Sequence, residues 1–166
     1  MIRRFYGDVY RFAMCLCRDE IDAIDLTQQT FYRYAKHEDR VHTPAKLKSW
    51  LFATAKNEFL DHVRRAKRYP HVSLEEVGEP SSGGAETSRA VDTRIVLAAM
   101  RRIDETYRTA LALFYLEGYS YREISEILEV PSGTVMSRLS RGKAQLKAAL
   151  DDGNLKPQKS GGNCEH

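Results

Sequence analysis

The sequence predicts an all-α protein of two small helical domains joined by a flexible linker. Apolar residues recur at three- and four-residue spacing on both sides of one break, and no strand-like alternation stands out. The break, Tyr69–Asp92, holds two prolines, a Gly-Gly pair and several acids without a sustained apolar face, which is typical of a tether. We expect one domain over 1–69, a linker over 70–92, a second domain over 93–150 and a disordered tail over 151–166.

The overall composition excludes some classes of protein. A hydrophobic share of 42% is ordinary for a globular protein, and a net charge of +3 is too small to predict a nucleic-acid partner by itself. No apolar run approaches the roughly 18 residues of a membrane span. The N-terminus "MIRRFYGDVYRF" lacks the apolar core of a signal peptide. We expect a cytoplasmic protein without membrane insertion.

Three cysteines do not form a disulfide framework. Cys15 and Cys17 lie two apart in a helical pattern and should point to different sides of that helix, and Cys164 lies in the polar tail. Their spacing matches no zinc pattern, so free thiols are predicted in preference to metal ligands. Because no Gly-rich phosphate loop or nucleophile motif is present, we expect no catalytic residue, no metal and no cofactor.

The helical segment "IDAIDLTQQTFYRYAKH" has an acidic and polar outward face. Its inward face carries Ala23, Leu26, Thr27, Thr30, Phe31 and Tyr34, and its outward face carries Asp22, Asp25, Gln28, Gln29 and Tyr32. Acidic side chains repel DNA and suit a basic protein surface. This helix is therefore predicted to bind a protein partner.

The segment "LKSWLFATAKNEFLDHVRRAKRYP" predicts a helix with one apolar face and one unusual face. The apolar face holds Leu51, Phe52, Ala55, Phe59 and Val63. Trp50, Asn57 and Arg64 share the opposite face, where a Trp can stack on an unstacked base and an Arg can hold phosphate. The alternative is that Trp50 is a half-buried core residue and the arginines form a solvated face.

The C-terminal half predicts a helix-turn-helix. Helices are expected over about Thr93–Arg102 and Glu105–Leu116, and a Ser120–Glu123 capping box should begin the next helix. A break at Val130–Gly133 follows, and Ser132 is expected to cap the last helix. Two short helices around a tight turn, the second one basic, form the motif.

The last helix has a core side and a small, polar side. At about 100° per residue, its core side holds Val135, Leu139, Gly142, Leu146 and Leu150. The opposite side holds Gly133, Ser137, Ser140, Arg141 and Ala144, with Thr134 and Met136 at its margins. Small residues permit close approach to DNA, and Arg141 can reach guanine or phosphate. An amphipathic helix with solvated charges fits the same pattern equally well.

Three motifs in order resemble the extracytoplasmic-function (ECF) sigma factors of bacteria. "DLTQQTF" resembles the family's DLxQExF helix, and "SWLFATAKNEFLDHVRR" resembles SWLxxIAxNxxxDxxRR. "LEGYSYREISEILEVPSGTVMSRLSRGKAQL" resembles the region 4 helix-turn-helix with its GTVxSRLxRA signature. The resemblance extends over roughly residues 5–150.

The resemblance implies a promoter-specificity subunit of RNA polymerase that assists promoter melting. Region 2 would bind the β′ clamp, the acidic linker would run towards the RNA exit channel, and region 4 would bind the β flap. The implied clamp-binding residues are Asp22, Asp25, Gln28, Gln29 and Tyr32. The implied −10 residues are Lys46, Lys48, Trp50, Asn57, Arg64 and Arg65, with the loop 37–46 helping to capture a flipped base. The implied −35 residues are Ser132, Gly133, Thr134, Ser137, Arg138 and Arg141. An anti-sigma factor is a further possible partner.

Five positions depart from the family pattern. Ile24 and Gln29 stand where acids are common, so the clamp-binding face is less acidic than usual. Ala53 replaces a commonly basic residue, Met136 stands where Arg or Lys is frequent, and Ser140 is smaller than usual. Fewer direct −35 base contacts, or a different promoter sequence, are expected.

Two other functions fit parts of the sequence. One is a stand-alone helix-turn-helix regulator that never binds polymerase, and the other is an RNA-binding or adaptor protein that uses Trp50 and the arginines. The "DLTQQTF" helix separates them from the first reading, because a stand-alone regulator needs no acidic face for a protein partner.

Overall fold

The computed structural model describes residues 2–17, 19–37, 43–68 and 88–152. These residues form seven α-helices and contain no strand, which confirms the all-α prediction. The helices are α1 Ile2–Leu16, α2 Glu20–Lys36, α3 Pro44–Arg68, α4 Ser88–Arg101, α5 Glu105–Leu111, α6 Tyr121–Leu128 and α7 Ser132–Asp151. A π-helical turn, Ala112–Leu116, continues α5.

The N-terminal half is a three-helix unit in which α1, α2 and α3 contact one another. The Asp19 carboxylate accepts a hydrogen bond from the backbone N–H of Asp22 at 2.8 Å and so caps α2. The predicted inward face of α2 is confirmed: all its residues are buried except Phe31, which is half-buried. On α3 the predicted apolar face is buried too, with Val63 half-buried at its end.

The C-terminal half contains the predicted helix-turn-helix. The capping box is confirmed, since Ser120 Oγ accepts from the Glu123 backbone N–H at 3.3 Å and Glu123 Oε2 accepts from the Ser120 backbone N–H at 2.8 Å. These bonds lower the pKa of the Glu123 carboxyl. Gly118, at φ +69°, ends the preceding helix where the sequence placed the break.

Two local predictions in this half are wrong. Pro131 is the N-cap of α7, and Ser132 is the first helical residue and makes no capping bond, because the proline already fixes the extended backbone at the turn. Helix α4 begins at Ser88, five residues earlier than predicted, so the end of the expected linker is helical. Residues 69–87 and 153–166, where the rest of the linker and most of the tail were predicted, lie outside the described residues.

Both described cysteines are buried, which corrects the prediction that they point to different sides of α1. Packing from several directions buries Cys15 and Cys17 alike, and neither forms a disulfide. Burial raises the pKa of Cys15 to about 11 and that of Cys17 to about 12. Cys164 lies outside the described residues. Within the described ranges no group of His, Cys, Asp and Glu could hold a metal ion, and no helix is long and apolar enough to cross a membrane.

The two halves share one hydrophobic core in the described structure. Helix α1 contacts α4 and α5, and α3 contacts α6. The Phe52 ring meets the Tyr119 ring edge to face, with centroids 5.7 Å apart. The sequence did not predict this contact between the halves.

Candidate nucleic-acid interface

Helix α7 exposes the small polar face that its sequence predicts. Val135, Leu139 and Gly142 are buried against the rest of the C-terminal half. The opposite side is open to solvent at Gly133, Ser137, Ser140, Arg141 and Ala144. Of the remaining predicted −35 residues, Ser132 is exposed, whereas Thr134 and Arg138 are half-buried. The first turns of α7 can therefore approach another surface closely, with Arg141 one turn further along.

A cluster of aromatic side chains next to α7 was missed by the sequence reasoning. Phe114 contacts Tyr115 and Tyr121, with ring centroids 4.9 and 5.4 Å away. Lys143 Nζ lies 5.7 Å from the Tyr115 centroid. Met136 is 56% exposed on α7. The clue in the sequence was a run of aromatics, "LFYLEGYSY", too dense for one buried face.

Trp50 and Asn57 line a pocket of about 250 Å³ between α2 and α3. The other lining residues are Arg33, His37, Thr54 and Glu58. Trp50 is half-buried against Tyr34, with ring centroids 6.1 Å apart, while Asn57 is exposed. Arg33 forms an ion pair with Glu58 across the pocket. Both readings of Trp50 hold in part, because its ring is packed on one side and borders an open pocket on the other.

Lys48 does not lie on the predicted −10 face. Its Nζ is 3.1 Å from Glu117 Oε2 and 3.4 Å from Asp8 Oδ2, so it is engaged between the two halves. The helical pattern alone cannot reveal a carboxylate contributed by the distant C-terminal half. The grouping of Lys48 with Trp50 and Asn57 is therefore corrected for this conformation.

The other predicted basic residues of the −10 group are solvent-facing. Lys46 is exposed at the start of α3, and Arg64 and Arg65 are exposed near its end. Arg64 Nη1 lies 3.3 Å from Asp61 Oδ1, in a surface pair that contributes little to stability. Residues 38–42 of the loop expected to help capture a base lie outside the described residues.

The outward face of α2 is polar but also apolar. Asp25, Gln28, Gln29 and Tyr32 are exposed, and Gln29 Nε2 donates to Asp25 Oδ2 at 2.7 Å. Asp22 is half-buried, and burial followed by repulsion from Asp19 raises the pKa of its carboxyl. Ile21 is 71% exposed beside them, a feature that sequence reasoning overlooked. The face combines acid with exposed apolar surface, which suits a protein partner.

The same face borders a groove of about 1090 Å³ between the two halves. Asp22, Asp25 and Gln29 line one wall, and Arg101 and Arg108 belong to the other. The C-terminal half thus stands beside part of the predicted protein-binding face.

The chain is similar over most of its length to known transcription factors. It is 33% identical over 153 residues to the ECF RNA polymerase sigma factor SigM of Bacillus subtilis, with 90% of this chain and 92% of the relative covered. The chain belongs to the ECF sigma factors. Residues 1–69 match the family model of sigma-70 region 2, and residues 93–146 match that of sigma-70 region 4. In the ECF sigma factor described here, α1–α3 therefore fall in region 2 and α5–α7 in region 4.

Further relatives agree with this assignment. The chain is 35% identical over 155 residues to the ECF sigma factor SigE of Mycolicibacterium smegmatis, covering 90% of this chain and 60% of that relative. Among solved structures, the sigma factor RpoE in complex with the anti-sigma factor NepR from Bartonella quintana matches with a TM-score of 0.77 and 25% identity. That match covers 92% of this chain and 95% of RpoE.

Proposed function

We propose that this ECF sigma factor reads the −35 element with α7 and captures a base of the −10 element in the pocket beside Trp50. The observation that carries the proposal is the solvent-open, small and polar start of α7 within a helix-turn-helix, on a chain whose other half offers a separate aromatic pocket. Two unlike nucleic-acid surfaces on one chain fit duplex reading by one half and single-strand capture by the other.

At the −35 element, α7 would lie in the major groove with its N-terminal turns against base edges. Gly133 and Ser137 allow close approach, and Ser132 and Thr134 can hydrogen-bond phosphate or bases. Arg141 would supply the long-range contact, to guanine or to phosphate, and Arg138 a phosphate contact from the flank. Met136 can offer a thymine methyl group apolar contact, and it cannot form the hydrogen bonds of an arginine at this place.

At the −10 element, the pocket would accept one base that has left the stack. The Trp50 ring provides a stacking surface, and the Asn57 amide can both donate to and accept from a base edge. Lys46, Arg64 and Arg65 would hold the phosphates of the separated strand. Stacking of this kind contributes about 1–3 kcal/mol per base, enough to assist melting.

The protein partner of region 2 is, in this proposal, the β′ clamp of core polymerase. The acids of α2 would pair with basic side chains, and Ile21, Ile24 and Tyr32 would supply apolar contact that compensates for the missing acids at positions 24 and 29. Region 4 would bind the β flap. Work of this kind takes place in the cytoplasm and needs no catalytic residue, cofactor or metal.

An anti-sigma factor is a proposed second protein partner. RpoE, which matches over nearly its full length, was solved with the anti-sigma factor NepR. The groove between the halves offers both apolar and charged walls to such a protein. The alternative of a stand-alone regulator is not favoured, because it leaves the outward face of α2 and the Trp50 pocket without a purpose.

Replacement of Arg141 tests the −35 assignment. In footprinting of the holoenzyme on a promoter, Arg141→Ala should weaken protection of the upstream element by about 1–3 kcal/mol, the cost of one good side-chain to base contact. The matched control is Lys147→Ala, which removes an exposed cation later on the same helix and should weaken binding less. Equal footprints for Arg141→Ala and the unaltered protein would contradict the assignment.

A further inference from the structure

The contact between region 2 and region 4 contains buried charges. Glu117, which follows the π-helical turn, has a side chain only 2% exposed, and Lys48 of α3 reaches it at 3.1 Å. Asp8 of α1 is 3.4 Å from the same amine. Lys56 of α3 is 7% exposed, and its Nζ donates to the backbone carbonyl of Ile127 at the end of α6 at 3.3 Å. We call these five residues the junction.

We propose that the junction is an autoinhibitory contact, which holds the free sigma factor closed and must break before the protein binds a promoter with polymerase. The inference rests on the proposed function. It adds a closed state of the chain by itself, in which neither promoter element can be bound together with the other.

The closed form is too small to bind both elements. The −35 and −10 positions are about 25 base pairs apart, or roughly 85 Å at about 3.4 Å per base pair. A compact chain of about 100 residues has a radius of gyration of about 13 Å and measures roughly 35–40 Å across. Because α3 and α6 are in contact, the two DNA-binding surfaces cannot reach sites so far apart. The halves must separate.

The closed form also obstructs the polymerase-binding face. Asp22, Asp25 and Gln29 of α2 line the groove whose opposite wall carries Arg101 and Arg108 of the C-terminal half. A partner that covers the face of α2 meets this wall. Opening the junction therefore frees the α2 face and lets the DNA-binding surfaces separate.

The junction is built to be broken. Glu117 Oε1 is buried and accepts no hydrogen bond among the described residues, and its nearest cation, Arg11, stands 3.9 Å away. Burial raises the pKa of Glu117 despite the opposing effect of Lys48, and burial lowers that of Lys56. Charges that are buried with incomplete partners cost free energy and leave the contact marginal. A single charge removed from it should shift the balance.

Cys15 reports on whether the chain is closed. Its side chain is 1% exposed, and the charges that act on its thiol come from Arg108, Glu117 and Arg101, all in the C-terminal half. Separation of the halves should expose it. With Cys17→Ala and Cys164→Ala, Cys15 is the one thiol left of the three in the sequence. Its reaction rate with N-ethylmaleimide then measures the open fraction, since only the solvated thiolate reacts.

The test compares Glu117→Gln with Glu126→Gln in this background. Glu126 is an exposed acid of α6 that pairs only with Arg122 at the surface, so its loss is the matched control. Glu117→Gln leaves Lys48 without its buried carboxylate, and we expect Cys15 to react roughly tenfold faster. The concentration of sigma factor that gives half-maximal run-off transcription at limiting core polymerase should fall by the same factor, because apparent affinity scales with the open fraction.

Each arm can overturn the inference by itself. Equal Cys15 rates in the unaltered protein and Glu117→Gln would overturn it, and so would faster reaction without improved transcription, which indicates local damage. Lys56→Met, which keeps the side-chain stem, should act in the same direction, with circular dichroism checking that helices persist. Absence of transcript from all proteins would contradict the proposed function, and the polymerase-free Cys15 rates would still decide whether the junction holds the chain closed.

Discussion

Gly142 shows how a single residue sets the position of the recognition helix. A Cβ there would lie 2.9 Å from Leu111 Cδ1 and 3.1 Å from Tyr107 Cβ, so glycine allows α5 and α7 to pack closely. Sequence arithmetic placed Gly142 on the core side, but it could not reveal how near the neighbouring helix comes. The distance depends on which side chains meet it.

We expect Gly142→Ala to lower the free energy of unfolding by about 1 kcal/mol. Overpacking of a core costs about 1–3 kcal/mol, more than the roughly 0.5–1 kcal/mol that alanine gains over glycine in a helix. Urea denaturation of the full chain, followed by circular dichroism, measures the change.

Gly133 provides the matched control on the same helix. A Cβ there meets nothing within 4 Å, so Gly133→Ala should leave stability unchanged or raise it by up to about 0.5 kcal/mol. If both alanines stabilised the protein equally, the close approach of α5 to Gly142 would be wrong.

At the scale of elements, the helices were predictable because each one buries a single apolar stripe. The inward faces of α2, α3 and α7 agree with the sequence prediction, and so does the capping box that begins α6. The start of α4 and the cap of α7 were mispredicted, since both depend on local backbone choices that hydrophobic periodicity does not record. Pro131 outweighed the preference of Ser132 for the cap.

Helix α2 makes a testable prediction about protein binding. Asp25 is exposed on its outward face, and its local hydrogen-bond partner is Gln29. Asp25→Arg reverses the charge where a basic partner is proposed, and we expect co-purification with core polymerase to fall at least about tenfold. The fold should persist, because the side chain contributes nothing to the core.

Asp151→Arg is the control for that experiment. It makes the same charge change at an exposed position near the end of α7, away from the α2 face. Full retention of polymerase by Asp25→Arg, or equal loss by both variants, would show that the clamp-binding face lies elsewhere.

For the whole molecule, the sequence predicted two helical units but not how they meet. The misassigned Lys48 illustrates the reason: it shares a helix with the −10 residues, yet its partner Glu117 comes from the other half of the chain. Long-range pairings of this kind leave no periodic signal. The pocket around Trp50 was predictable only in part, since Arg33 and His37 come from α2 and its end, beyond the segment that suggested it.

The most direct test of the central claim is run-off transcription with purified core polymerase on genomic promoter fragments, with and without this protein. The account predicts discrete transcripts that depend on the protein, start downstream of a shared pair of upstream elements and are absent with core polymerase alone. A protein that binds those fragments, yet supports no polymerase-dependent initiation on any of them, would contradict its role as a sigma factor.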